Sequence, residues 1–108
     1  MTKGDKMIMQ KLKKVEIITE GSNLEILKRV LGKIDIGGYT IFHNLEGMGS
    51  HGFHEGHLLF NEEDALIMLM SVVDEKKAND IAFGLEPFLQ KHSGAIFLSD
   101  ITRARAEK

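Results

Sequence analysis

The sequence predicts a single α+β domain whose strands and helices follow the order β-α-β-β-α-β. Three observations lead to this order: short β-branched stretches, two amphipathic stretches that each begin near a capping residue, and one long glycine-rich connection between them. The chain has 108 residues, a hydrophobic fraction of 43% and a formal net charge of −2, which are typical of one small globular domain.

The first part of the chain should form a strand and a helix. Residues 1–10 show no period, so we expect a flexible lead-in before a domain that spans residues 11–108. The stretch 11–19 is β-branched with partial alternation and predicts the first strand. Ser22 and Glu25 have the spacing of a capping box, and apolar residues then recur on one helical face.

The middle of the chain predicts two strands joined by an unusually long connection. Residues 39–45 are β-branched and aromatic, and residues 65–73 are apolar throughout, as expected of a strand covered on both faces. Residues 46–64 contain four glycines and three histidines and predict a long, flexible loop. Connections of this length are often functional.

The last part should form a helix and a strand. Asp74 can cap the second helix, and Pro87 should break or restart it because proline has no backbone donor. Residues 95–101 predict the last strand, and residues 102–108 a charged tail. The complete order is the split arrangement of ferredoxin-like folds, a two-layer α+β sandwich with an antiparallel sheet. Because so short a chain has a limited core, we also expect self-association.

The composition excludes several classes of protein. The chain contains no cysteine, so disulfides and thiolate metal sites are impossible and a cytoplasmic location is expected. No apolar run approaches the roughly 20 residues of a membrane span, so membrane insertion is not expected. The near-neutral charge argues against general nucleic-acid binding, which needs a basic face.

Two groups of residues suggest anion binding. Glycines flank the second strand, in the segments 37–40 and 47–50, and glycine-rich turns can direct backbone N–H groups at a phosphate or carboxylate. Arg103 and Arg105 would point to the same side of an extended segment and could hold phosphate oxygens. The alternatives are glycines that serve only turn geometry and arginines in a solvated tail.

Metal binding and catalysis are the competing hypotheses. His51, His54 and His57 lie in the long loop and could bind a metal ion if the loop folded around it. A catalytic role finds little support, because no serine lies in a G-x-S-x-G segment and no cysteine is available as a nucleophile. The sequence therefore predicts a binding protein without enzymatic activity.

Two segments resemble the PII signalling superfamily. Residues 31–41 (LGKIDIGGYTI) carry the G-x-T strand start that follows the first helix in that family, and residues 47–50 (GMGS) are similar to the opening of its T-loop. The resemblance extends over nearly the whole chain and is strongest to the PII-like branch linked to carboxysomes and bicarbonate transport. It implies a homotrimer that binds adenine nucleotides between its subunits.

The resemblance also assigns roles to individual residues. It implies a nucleotide-binding site formed by Gly38, Tyr39, Thr40, Gly47, Gly49, Ser50, Ser93, Gly94, Arg103 and Arg105. The lysine that typical members have before the last strand is Ala95 here, and the loop has no tyrosine for nucleotidylation. The resemblance therefore implies AMP or ADP rather than ATP as ligand, bicarbonate as a second ligand, and a partner such as a bicarbonate transporter or carboxysome-related protein, bound through the T-loop-like segment 46–64.

Overall fold

The computed structural model of the protein describes residues 6–46 and 65–107. Four strands form one sheet: β1 (Met7–Glu20), β2 (Thr40–Leu45), β3 (Leu66–Val73) and β4 (Gly94–Ala106). Three α-helices connect the strands: α1 (Leu24–Ile34) after β1, then α2 (Glu75–Gly84) and α3 (Glu86–Lys91) after β3. The predicted ferredoxin-like order is confirmed, with the two short helices in the place of its second helix. No helix in these two ranges is both long enough and apolar enough to cross a membrane.

The sheet is antiparallel throughout, with the strand order β2-β3-β1-β4. The edges are therefore β2 and β4, whereas β1 and β3 pair on both sides. The core lies between the helices and one face of the sheet. Val15, Ile17 and Leu69 point to that face and pack with Leu27 and Ile81 of the helices, all fully buried. Burial of such side chains stabilises the fold by roughly 1.5–3 kcal/mol each.

Of the three helix-start signals read from the sequence, two are confirmed and one is wrong. The Asp74 side chain accepts a hydrogen bond of 2.7 Å from the backbone N–H of Lys77, so the predicted cap of α2 is confirmed. Pro87 lies in the first turn of α3, where its missing donor costs nothing, so the predicted restart is confirmed too. The capping box at Ser22 is wrong, because residues Gly21–Asn23 form a short 3-10 turn and Asn23 directly precedes α1.

None of the described helices covers the second face of the sheet. Apolar side chains on this face include half-buried Met68 and Met70, together with Phe42 and Phe97, which are 42% and 53% exposed. The expectation that β3 is covered on both faces is therefore wrong for the single chain. An apolar sheet face of this kind is typical of a surface that another subunit covers.

Both terminal strands are longer than predicted. β1 begins at Met7 rather than at residue 11, and β4 continues to Ala106 rather than ending at residue 101. Residues 7–12 and 101–106 pair with each other beyond the end of β3, in a two-stranded extension that we call the arginine ribbon. Residues 7–10 of the expected lead-in and most of the expected charged tail thus belong to the sheet. Their pairing is decided by the partner strand, which local sequence patterns do not reveal.

Candidate functional site

Seven of the predicted nucleotide-binding residues lie in the described part of the chain. They occupy three places: the turn before β2, the turn before β4 and the arginine ribbon. The remaining candidates lie outside the described residues, and these are Gly47, Gly49 and Ser50 as well as the alternative metal ligands His51, His54 and His57.

The backbone before β2 requires glycine at one of its two glycine positions but not at the other. Gly37 has a φ of 78°, in the left-handed region that glycine adopts without steric cost. Gly38 needs no such φ, and a Cβ placed on it would meet no atom of the described residues within 4 Å. The turn geometry therefore explains Gly37, whereas the described structure leaves Gly38 unexplained and the space beside it open.

A buried hydroxyl group anchors the turn before β2. The Ser71 side chain, on a residue only 3% exposed, donates a hydrogen bond of 2.7 Å to the carbonyl oxygen of Gly38. Tyr39 and Thr40 follow at the exposed start of the edge strand β2. The sequence reasoning missed Ser71. Its signal would have been a single hydroxyl inside the otherwise apolar stretch LIMLMSVV.

The turn before β4 is held in a similar way. The buried Thr19 hydroxyl donates to the carbonyl oxygen of Ser93 at 2.8 Å and accepts from the Asn23 amide at 3.0 Å. The Ser93 hydroxyl donates to a carboxylate oxygen of Glu20 at 3.1 Å. The chain at Ser93 is thereby tied to the end of β1. Thr19 is the second anchoring residue that sequence reasoning missed.

Gly94 is required by close packing. A Cβ on this residue would lie 3.0 Å from the carbonyl oxygen of Ile18 and 3.4 Å from the Cβ of Thr19. The first of these distances is shorter than a comfortable contact with backbone, which cannot easily move. Gly94 therefore has a structural role whether or not a ligand binds beside it, in contrast to Gly38.

The arginine ribbon carries Arg103 and Arg105 on one face. They are two residues apart in β4, so their side chains share a side of the ribbon, as the alternation predicted. The register places Arg103 opposite Gln10 and Arg105 opposite Ile8, on the side of the sheet away from the helices. The Arg103 Nη2 donates a hydrogen bond of 2.7 Å to Gln10 Oε1. Both arginines are exposed and so accessible to an anion.

One chain cannot bring these three places to one nucleotide. Arg103 lies nine residues beyond Gly94 in the same strand, which corresponds to about 30 Å at roughly 3.3 Å per residue. The turn before β2 lies at the opposite edge of the sheet from β4, about 14 Å away at roughly 4.8 Å per strand. A site that used all three would therefore need residues from two chains.

A cavity of about 480 Å³ lies at the base of the ribbon, on the helix side. Its ionisable lining residues are Lys11, Lys13, Glu75 and Asp100, so its charges balance. Lys13 forms an ion pair with Asp100, and this hydrogen bond raises the pKa of Lys13 and lowers the pKa of Asp100. Such a lining offers no excess positive charge to a phosphate. Within residues 6–46 and 65–107, no three metal-ligating side chains come together either.

Comparison with known proteins identifies relatives along nearly the whole chain. Residues 12–108 match the family described as nitrogen regulatory protein P-II. The structure of CPII, a nitrogen regulatory PII-like protein from Thiomonas intermedia K12, bound to ADP, AMP and bicarbonate, has 46% sequence identity and a TM-score of 0.79. This similarity covers 91% of the present chain and 92% of that chain. No curated protein sequence matches.

Two further structures extend the comparison. CPII from the same organism bound to ADP, AMP and acetate is 41% identical, with a TM-score of 0.74 and coverage of 91% of this chain and 93% of that chain. The GlnK–ATP complex from B. subtilis is 23% identical, with a TM-score of 0.61 and coverage of 84% and 82%. At that identity the likeness to GlnK establishes the fold alone.

Proposed function

Since the chain belongs to the nitrogen regulatory P-II family, we propose that it is a non-enzymatic regulatory protein that binds adenine nucleotides between the subunits of a homotrimer. The family membership confirms the resemblance identified in the sequence, and a trimer is consistent with it. AMP and ADP are the proposed ligands, in preference to ATP. We expect the protein to act in the cytoplasm.

The observation that carries this proposal is the separation of the candidate groups within one chain. The arginines lie about 30 Å from the turn before β4, so they can reach a shared ligand only as part of a neighbouring subunit. The apolar second face of the sheet offers the surface on which such neighbours could pack. The ligands of the Thiomonas protein, ADP, AMP and bicarbonate, support the chemical class.

The proposed roles follow the three places in the fold. Gly38, Tyr39 and Thr40 accommodate base and ribose, and the open space at Gly38 supports this role. Ser93 and Gly94 complete the cleft. Arg103 and Arg105 of a neighbouring subunit hold the phosphates together with Gly47, Gly49 and Ser50 of segment 46–64.

The preference for fewer phosphates has an electrostatic reason. Ala95 stands where typical family members carry a lysine, so the proposed cleft has one positive charge fewer for a phosphate chain. A smaller anion such as bicarbonate is the proposed second ligand. The bound ligands would control how segment 46–64 binds a protein partner, such as a bicarbonate transporter or a carboxysome-related protein.

The experiment uses two variants that should each bind ADP weakly alone but should form some intact ADP sites when they assemble together. We expect Arg103→Ala to weaken ADP binding by about 1.5–3 kcal/mol, the contribution of a charged hydrogen bond. Gly38→Val should block the other side of the cleft. When both variants are co-expressed, random assembly of trimers should leave about a quarter of the clefts with both intact groups. Calorimetry should then detect tight ADP binding at about that fraction of the clefts.

The control is Arg29→Ala, which removes an exposed arginine of α1 and should leave ADP affinity unchanged. Sedimentation of the parent protein should give the mass of a trimer. A stable monomer, or failure of the mixed assembly to recover any tight sites, would contradict a cleft shared between subunits. Unchanged ADP affinity in Arg103→Ala would contradict the role of the arginine ribbon.

A further inference from the structure

The arginine ribbon contains an asymmetry between its two arginines. Arg103 donates a hydrogen bond to the side-chain oxygen of Gln10, its cross-strand partner, at 2.7 Å. Arg105 lies opposite Ile8, whose side chain has no acceptor, and its guanidinium forms no hydrogen bond or ion pair with the part of the chain that the structure describes. Among the described residues, one guanidinium therefore has a hydrogen-bond partner and the other has none.

The residue that bonds to Arg103 lies outside the region that matches the P-II family. The family match begins at residue 12, whereas Gln10 lies in the preceding segment that extends β1. The backbone pairing of residues 7–12 with 101–106 is what brings Gln10 opposite Arg103. Without this extension of β1, the end of β4 would have no partner strand among the described residues.

An amide suits this position better than a carboxylate if the guanidinium serves an anionic ligand. A guanidinium has five N–H donors, so a single hydrogen bond to Gln10 leaves most of them for phosphate oxygens. The amide oxygen is neutral and leaves the positive charge of Arg103 uncompensated. A glutamate of nearly the same shape would pair with that charge and would also repel a phosphate.

We propose that Gln10 is a positioning residue that holds the Arg103 guanidinium ready for the nucleotide phosphates, so that the extension of β1 forms part of the ligand site. This inference rests on the proposed function, because it takes a phosphate as the ligand of Arg103. The advantage is preorganisation: a long arginine side chain loses rotamer freedom when it binds, and part of that loss is already incurred before the ligand arrives.

The test compares Gln10→Met and Gln10→Glu in the full-length protein, with ADP and adenosine as probes. Gln10→Met removes the acceptor and retains length, and we expect ADP binding about three- to tenfold weaker, the effect of one hydrogen bond. Gln10→Glu should weaken ADP binding further, and added salt should reduce that excess. Adenosine, which has no phosphate, should bind both variants as it binds the parent.

A double-mutant cycle separates positioning from a general effect on the ribbon. In the Arg103→Ala background, Gln10→Met should change ADP affinity no further, because the group that it positions is gone. Thr102→Val is the matched control: it alters the neighbouring residue on the opposite face of the ribbon with little change in shape. We expect this control to bind ADP like the parent.

Four results would overturn the inference. Parent-like ADP binding by Gln10→Met, with weakened binding by Arg103→Ala, would remove the role of Gln10 and leave the proposed function intact. An equal loss from Gln10→Met with and without Arg103 would mean that Gln10 acts independently of it. Equal losses for ADP and adenosine would indicate a structural effect on the ribbon. If Arg103→Ala itself binds ADP normally, the proposed function fails together with the inference.

Discussion

The same two strands, β1 and β4, behave differently in the two halves of the molecule. Under the helices, alternate residues of β1 are fully buried, as Val15 and Ile17 are. In the arginine ribbon, Met7 and Met9 continue that alternation but are 54% and 65% exposed, because none of the described helices lies above them. The strand pairing is continuous, and only the second layer is missing.

The part of the sheet under the helices mainly stabilises the fold, whereas the arginine ribbon is available for binding. Residues under the helices are constrained by packing, so their identity follows from the core. Residues of the ribbon are constrained by strand pairing alone, which leaves their side chains available for a ligand or a neighbouring subunit. The charged groups that we assign to phosphate binding accordingly lie on the ribbon, while the buried hydroxyls of Thr19 and Ser71 only anchor the turns.

The largest expected effect is on the free energy of unfolding, which we compare between the covered core and the arginine ribbon. Leu27→Ala should lower the free energy of unfolding by about 2–5 kcal/mol, because it leaves a cavity in the fully buried core. Met9→Ala in the ribbon should change it by less than about 0.5 kcal/mol, the usual range for exposed positions. Urea unfolding followed by circular dichroism at one fixed protein concentration measures both. A comparable loss in Met9→Ala would mean that a neighbouring subunit covers this face of the ribbon.

A smaller effect distinguishes Gly38, just before the edge strand β2, from Gly94, the first residue of the edge strand β4. Gly94→Ala should lower the unfolding free energy by about 1–3 kcal/mol, because its Cβ would press on the Ile18 carbonyl. Gly38→Ala should raise it by about 0.4–1 kcal/mol, since alanine fits there and restricts the unfolded chain. If the open space at Gly38 receives the nucleotide, ADP should nevertheless bind more weakly to Gly38→Ala. Destabilisation by Gly38→Ala would contradict a ligand-related reason for this glycine.

The smallest effect concerns the exposed ion pair where the ribbon joins the covered sheet. Its hydrogen bond lowers the pKa of Asp100, so its contribution to stability is fully present above the ordinary pKa of 3.8 that this carboxyl has in the unfolded chain. This contribution is lost as the pH falls through the lower pKa of the folded state. The same bond raises the pKa of Lys13, so at the alkaline end the contribution is lost as the pH rises through that raised value.

The pair is tested with Asp100→Asn. The variant should be slightly less stable than the parent near pH 7, and the difference should disappear in strong acid. We expect a small difference because exposed pairs are screened by water and salt. Urea midpoints from pH 2 to pH 8 measure it, and urea is preferred because it does not add salt. A difference that persists unchanged at low pH would show that the carboxylate charge is not its source.

Much of the fold could be predicted because its signals are local. Asp74 caps a helix through a hydrogen bond to a residue three positions away, and Pro87 acts through its own missing donor. The capping box predicted at Ser22 is wrong because the spacing of Ser22 to Glu25 also fits a 3-10 turn. The Asn23 side chain does not cap α1 but donates a hydrogen bond to the Thr19 hydroxyl. A capping pattern states which bond is possible, whereas neighbouring strands decide which bond forms.

The sequence by itself determined the element order, the family and the candidate residues, because periodicity, turn residues and short motifs act over few positions. Tertiary structure alone decided that residues 7–10 join the sheet, that Arg103 faces Gln10, and that Ser71 holds the turn at Gly38. These contacts join residues 33 to 99 positions apart. No local pattern encodes such pairs, since their register is decided by the whole sheet and by the helices packed on one of its faces.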